Sequence, residues 1–403
     1  MRAVVLALCL SLPLSGAAQT PESLSMPATD PATALTLWID GFRPRAEAEG
    51  ISPNTMDAAF AGLTYLPIVV ERDRNQNEFT KTLWDYLSTA VSEARIRNGQ
   101  AQLAEHAGLL AEIEARYRVD RHVVAAIWGL ESAYGAVRGD TPTISALATL
   151  ASDGRRGAFF ERELLGALTI LQNGHVAVGD MRGSWAGAMG HTQFMPTSFL
   201  DLAQDFRGDG RRDIWSDDPT DALASTAHYL QSAGWVEGQP WGVEVRLPEG
   251  FDYTLADRTV RKMPGAWAEI GVLDRTGAAV PNHGLASILL PAGAKGAAFM
   301  IFDNFAAIER YNTADSYVIA VGHLADRLRG GAPFEAEWPL DDRALTFAER
   351  KELQERLTEA GFSTRGVDGL IGPNTIDAIR AWQLANGLTP DGYAPPSLLE
   401  RLR

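Results

Sequence analysis

Residues 124–131, VAAIWGLE, place a carboxylate where the pattern asks for an apolar side chain. Val124, Ile127, Trp128 and Glu131 follow the i, i+3, i+4, i+7 spacing of one buried helical stripe. An ionised carboxylate on such a stripe costs several kcal/mol unless it is paired or stays protonated. Two readings follow. Glu131 is a buried glutamate held by an ion pair or a helix end, or it is a general acid. In the second case an apolar pocket raises its carboxyl from about 4.3 towards about 6, so that it holds a proton near neutral pH and delivers it to a leaving oxygen.

A second stretch is GSWAGAMGHTQFMPTSF, residues 183–199. Its small residues let backbone approach a ligand closely. Ser184 and Gln193 supply neutral hydrogen-bonding groups, and the aromatic residues offer faces for sugar rings. The alternative is a tightly packed turn between helices, in which His191 is a hydrogen-bonded structural histidine rather than a cleft residue. A third stretch is DFRGDGRRDIWSDDPTD, residues 205–221. Asp205, Asp209 and Asp213 fall at positions 1, 5 and 9 of a calcium loop, with Gly210 at position 6. Arg207 at position 3 and Ser216 at position 12 depart from that pattern, so an Asp/Gly turn closed by Arg–Asp pairs stands as the other reading. The histidines show no HExxH spacing, and no GxSxG elbow supports Ser–His–Asp catalysis.

The elements that position these residues are mainly helical from 33 to 234. Asp120 is a candidate N-cap, Gly135 and Gly174 are stops, and Pro219 and Gly234 bracket a helix. From about 235 the texture changes to period-two alternation and short apolar runs bounded by Gly and Pro, which predicts a small β-rich insertion over 236–302. Helix returns at 314–329. Residues 331–343 are Pro- and acid-rich and read as a linker, and 344–403 as a compact unit of short helices.

The chain has 403 residues, 46% of them hydrophobic, enough for two or three domains. Its net charge is −15 with no basic stripe, which argues against nucleic acid and anionic membrane surfaces as partners. The start, MRAVVLALCLSLPLSGAAQT, reads as a secretory signal peptide over 1–18, followed by a disordered lead-in over 19–32. Cys9, the single cysteine, lies inside that leader and well before the cleavage site, so it is not placed as a lipid anchor. The mature chain then has no thiol nucleophile and no cysteine metal site. No later run is long enough for a transmembrane anchor. The expected compartment is the periplasm.

IWGLESAYG, SWAGAMGHTQFMPTSF, DFRGDGRRDIW, DALASTAHYLQSAGW, PWGVEVRLPEGFD and IERYNTADSYVIAVGHLADRL appear in that order. Together they resemble the B-type lytic murein transglycosylases, over about residues 33–330. The resemblance implies a mainly α (α+β) fold: a lysozyme-like helical catalytic domain carrying the β-rich insertion. It implies one catalytic glutamate, Glu131. Ser184 and Gln193 are implied to lie in the cleft and touch the sugar. Tyr311 and Asn312 match the family's YN pair, whose asparagine faces the reacting N-acetyl group, and Tyr317 matches a further cleft tyrosine. Arg155 and Arg156 are implied to meet the peptide stem or the muramyl carboxylate, unless they are a solvated helix start. Some members hold calcium, with an additional Asp matching Asp221, so Asp205, Asp209 and Asp221 are the implied ligands of a structural calcium. No cofactor is required.

The carboxylates fit a substrate-assisted reaction. A retaining hydrolase needs two acids about 5 Å apart and an inverting one about 6.5–9.5 Å. The matched motifs hold one acid in an apolar setting, with Asp140 and Asp153 in polar text. The expected reaction is non-hydrolytic cleavage of the MurNAc–GlcNAc bond to a 1,6-anhydro end. A muramidase-type hydrolase on the same fold, or an inactive cell-wall scaffold, are the alternatives.

Residues 344–403 resemble the peptidoglycan-binding type-1 module, through VDGLIGPNTIDAIRAWQ and NGLTPDG. A three-helix unit is implied. Ile376, Ile379 and Trp382 form an apolar stripe, so Trp382 reads as core. Peptidoglycan glycan strands are the expected partner, and other cell-wall enzymes are candidates.

Overall fold

The computed structural model describes residues 30–75 and 81–403, so the expected signal peptide and most of the lead-in lie outside the described residues. Helix begins at Pro31, inside the expected lead-in, because Asp30 caps it by accepting from Thr33 N at 3.3 Å. Pro31 at the first helical position suits a residue that lacks an N–H.

The helical part runs through α1 (Pro31–Ala48), α2 (Pro53–Phe60), α3 (Pro67–Arg74), α4 (Leu83–Ala90), α5 (Glu93–Glu105) and α6 (Ala107–Tyr117). It continues with α7 (Arg121–Ser132), β1 (Thr141–Pro142), α8 (Thr143–Asp153), α9 (Gly157–Gln172), β2 (Arg182–Gly183), α10 (Pro196–Leu202) and α11 (Thr220–Ser232). The sheet region holds β3 (Gly242–Arg246), α12 (Pro264–Glu269), β4 (Leu273–Asp274), β5 (Ser287–Leu289) and β6 (Ala298–Ile301). Then come α13 (Asp303–Glu309), α14 (Asp315–Leu328), α15 (Phe347–Glu359), α16 (Pro373–Ala385) and α17 (Pro396–Leu402).

Two apolar cores organise the helices. One surrounds α7 and α14, fed by α4, α5, α6 and α11. The other surrounds α8 and α9, fed by α1, α2 and α3. Val124, Ile127 and Trp128 of the α7 stripe are buried in the first, each worth about 1.5–3 kcal/mol over exposure. Asp120 caps α7, accepting from His122 N at 2.8 Å. β1 and β2 pair antiparallel with Thr141 opposite Gly183, and bridges from Gly183 to Met189 and from Met189 to Phe194 extend this ribbon through the Gly-rich segment.

The β-rich insertion is a four-stranded antiparallel sheet ordered β4-β3-β6-β5. Alternation along β6 explains its seat: Ala298 and Met300 face a small core with Trp267 and Ile288, while Phe299 and Ile301 face the α7–α14 core. The 331–343 segment is irregular, yet it is a packed strap. Phe334 stacks on His323 with centroids 3.7 Å apart, Trp338 meets Trp84, and the buried carboxylate of Glu244 accepts from the backbone of Glu335 and Ala336. The C-terminal helices enclose their own core of Leu353, Leu357, Ile379, Trp382 and Leu399.

Candidate active site

Glu131 sits half-buried in the last turn of α7. Three consecutive left-handed residues end that helix: Ala133 (φ 51°), Tyr134 (φ 61°) and Gly135 (φ 84°). Left-handed backbone costs about 1–2 kcal/mol at a non-glycine residue, and Tyr134 shows what offsets it. Its ring is buried against Gly99 and Gly129, where a Cβ would lie 2.2 and 2.5 Å from the phenol, and its hydroxyl donates to Arg95 O at 3.0 Å. The helix therefore stops sharply, with Glu131 at its end.

Tyr317, buried on α14, donates its hydroxyl to Glu131 Oε1 at 2.6 Å. Burial first, and then the Glu131 charge, push the Tyr317 phenol well above its ordinary value, so it remains a donor. Tyr311 is raised by the same two causes, and its hydroxyl donates to Thr192 O at 2.6 Å. Its ring lies 4.7 Å from Tyr229 and packs against both helical cores. Asn312 is exposed in the turn between α13 and α14. Its Oδ1 accepts from Ala314 N at 3.1 Å, while its Nδ2 makes no hydrogen bond among the described residues.

The Gly-rich segment meets this cluster through Thr192. Gln193 adopts φ 53° and donates from Nε2 to Arg138 O (3.0 Å) and Gly190 O (2.8 Å). Ser184, half-buried, accepts from Ala188 N at 3.1 Å. Both side chains thus brace backbone. Arg155 and Arg156 lie apart from these groups and both grip Asp73, whose side chain is 2% exposed, while their own are 48% and 39% exposed. They meet a carboxylate of the chain itself. Asp153 pairs with Arg74 at 2.7 Å and Asp140 is exposed.

The calcium loop does not fit its ion. Asp205 and Asp209 lie near enough to Asp221 to help raise its carboxyl, burial being the larger cause. However, Asp205 accepts from the backbone of Gly208, Asp209 and Gly210, and Asp221 from that of Phe206 and Asp213. Arg207, at the third ligand position, pairs with Glu112. No group of three or more acidic, His or Cys side chains among the described residues is arranged to hold a metal.

Two further residues of this cluster are not singled out by the sequence. Tyr86 of α4 lies close enough to Tyr317 to add to its upward shift. Tyr134 stands in the quoted motif, but its place between two glycines depends on Gly99, far back in the chain.

Residues 34–326 match the transglycosylase SLT domain model. The chain belongs to this family. Residues 348–402 match the putative peptidoglycan binding domain. The chain is 32% identical over 248 residues to membrane-bound lytic murein transglycosylase B of Escherichia coli K12, a match covering 59% of this chain. That match spans 65% of the relative's length, just under two thirds. SltB3 of Pseudomonas aeruginosa, solved in complex with NAG-anhNAM-pentapeptide, is 52% identical with a TM-score of 0.89, covering 92% of this chain and 99% of its own. Slt35 of Escherichia coli, solved in complex with calcium, is 27% identical with a TM-score of 0.62, covering 74% and 93%. The fold is the lysozyme-like one of this family, mostly helical, with small sheets and a C-terminal helical module.

Proposed function

We propose that the chain is a peptidoglycan lytic transglycosylase that cleaves the MurNAc–GlcNAc β-1,4 bond without water, with Glu131 as acid and then base. The observation that carries this is the setting of Glu131: a half-buried carboxyl at a helix end, bonded to a tyrosine that stays protonated. The 52% identity to SltB3, whose complex holds a NAG-anhNAM-pentapeptide, supports the substrate class.

In this reading Glu131 protonates the bridging oxygen, and the C1–O bond breaks. The N-acetyl oxygen of the muramyl residue supports the positive anomeric carbon. The Glu131 carboxylate then takes the proton of the C6 hydroxyl, whose oxygen closes on C1. The acid is regenerated and the muramyl product is a 1,6-anhydro sugar. Tyr317 serves both states of Glu131, since a phenol donates to a carboxylate and accepts from an acid. The uncommitted Nδ2 of Asn312 orients the acetamido group. Ser184 and Gln193 shape the wall the sugar lies on, through the backbone they brace, and the exposed edges of Arg155 and Arg156 meet a peptide carboxylate beside Asp73. The leader carries the chain to the periplasm. No helix among the described residues is long and apolar enough to cross a membrane.

Mass spectrometry of muropeptides released from purified sacculi tests the reaction type. Products lighter by one water than their hydrolytic counterparts are expected. Reducing-end products alone would replace this reading with a muramidase.

A further inference from the structure

Two residues flanking Glu131, one turn before it and one position after it, hydrogen-bond to the same partner. Trp128 donates its indole N–H to His191 Nδ1 at 3.1 Å. Ser132 donates its hydroxyl to His191 O at 2.5 Å and accepts from Gly135 N at 2.9 Å. His191 is itself fixed from the far side: its backbone N–H donates to Ile214 O at 3.1 Å, and its ring Nε2 lies 2.7 Å from Ser216 O. The turn after the helix is shaped around this ring, because a Cβ on Gly135 would lie 2.5 Å from Nδ1. The next residue, Thr192, accepts the Tyr311 hydroxyl.

We propose that the His191 ring is a positioning group that sets the orientation of Glu131 by holding Trp128, beside the His191 backbone oxygen that holds Ser132, and that it does so only as the neutral imidazole. This rests on the reading of Glu131 as proton donor. The network assigns the tautomer: Nδ1 must accept from Trp128, so the proton sits on Nε2 and points at Ser216 O. A second proton would set an N–H of the ring against the indole N–H. It would also place a cation 3.1 Å from the Arg138 guanidinium, which is bonded to Ser216 O and Asp217. Burial, with Arg138, lowers the histidine below its ordinary value, while the Ser216 carbonyl and the charges of Asp217 and Asp213 act the other way. Across Trp128 lies the His106 ring, 5.6 Å away, beside a cavity of about 310 Å³ that Glu105 also lines.

The test compares His191→Ala, His191→Gln and Glu131→Gln in the full chain, reading kcat, KM and thermal midpoint across acid to neutral pH. Displacing a reacting group by about 1 Å can cost on the order of 100-fold in rate. His191→Ala is expected to lose kcat at least about tenfold with KM within about twofold. His191→Gln offers an acceptor and a donor but does not titrate, so it is expected to recover most of kcat and to move the acid limb of the profile to lower pH. Should the alanine variant not fold, Trp128→Phe removes the same bond and is expected to give the same kcat loss. Wild-type kcat and acid limb in the His191 variants, or equal kcat losses in both with no change in acid limb, would overturn the proposal. An active Glu131→Gln enzyme would instead overturn the reading of Glu131, independently of His191.

Discussion

In the proposed reaction the chemistry turns on the contact between Tyr317 and Glu131, and the phenol's hydroxyl is separable from its packing. Tyr317→Phe keeps the ring in the α7–α14 core and removes the donor. A hydrogen bond to a charged group is worth about 1.5–3 kcal/mol, so turnover should fall about 10- to 100-fold, and the folded variant should lose no more than about that much stability. Steady-state kinetics on soluble glycan fragments beside a thermal melt check this. A variant with wild-type turnover removes Tyr317 from the mechanism. At this scale Glu131 was legible because one charge interrupts an otherwise apolar stripe, a local anomaly. Asp73 was not: its partners Arg155 and Arg156 lie more than eighty residues away, and no local pattern marks a distant ion pair.

Among the elements, α7 is held at both ends by means of different legibility. Its start was readable, since Asp followed by a periodic apolar run is a capping pattern. Its end was readable in part, with Gly135 marking the stop, but not the manner of it, because Ala133 and Tyr134 adopt left-handed backbone that neither residue prefers, imposed by the seat of the Tyr134 ring. The cap gives a pH prediction. Burial pushes the Asp120 carboxyl up, but the His122 bonds and the Arg329 charge outweigh it and hold the group down at about 2. A depressed carboxyl contributes stability that is present above its unfolded value and is lost as pH falls through the folded one. Asp120→Asn should therefore cost roughly 2 kcal/mol at neutral pH, and its gap to wild type should close between about pH 4 and pH 2. Urea unfolding across that range measures it, and a gap independent of pH would contradict the assignment. The β-rich insertion was legible from its alternation. The strap over 331–343 was not, since its Pro- and acid-rich text hides the anchors Phe334 and Trp338.

The whole molecule joins a helical body to a module with a core of its own. The module rests on the insertion: Arg380 bonds Ala256 O and, at 3.2 Å, Asp257, while Asp391 accepts from Ala294 N at 2.9 Å. Trp382 was legible as core from the α16 stripe; this docking was not, because it joins segments 97 to 124 residues apart in the chain. In the proposed function the module raises the local concentration of polymer. Ending the chain at Arg343 should leave cleavage of soluble fragments within about twofold and weaken binding to sacculi by about tenfold or more. A pull-down on sacculi beside a soluble-substrate assay separates the two. Unchanged sacculus binding would assign wall affinity to the catalytic body alone.

The central claim is that one carboxyl acts first as acid and then as base. Its most direct test is digestion of purified sacculi by wild type and by Glu131→Gln, with the released muropeptides weighed and the fold checked by circular dichroism. The account predicts anhydro-muropeptides from the wild type, and a folded variant whose release falls by about a thousandfold or more. A folded Glu131→Gln enzyme that releases the same products at a near-normal rate would contradict it.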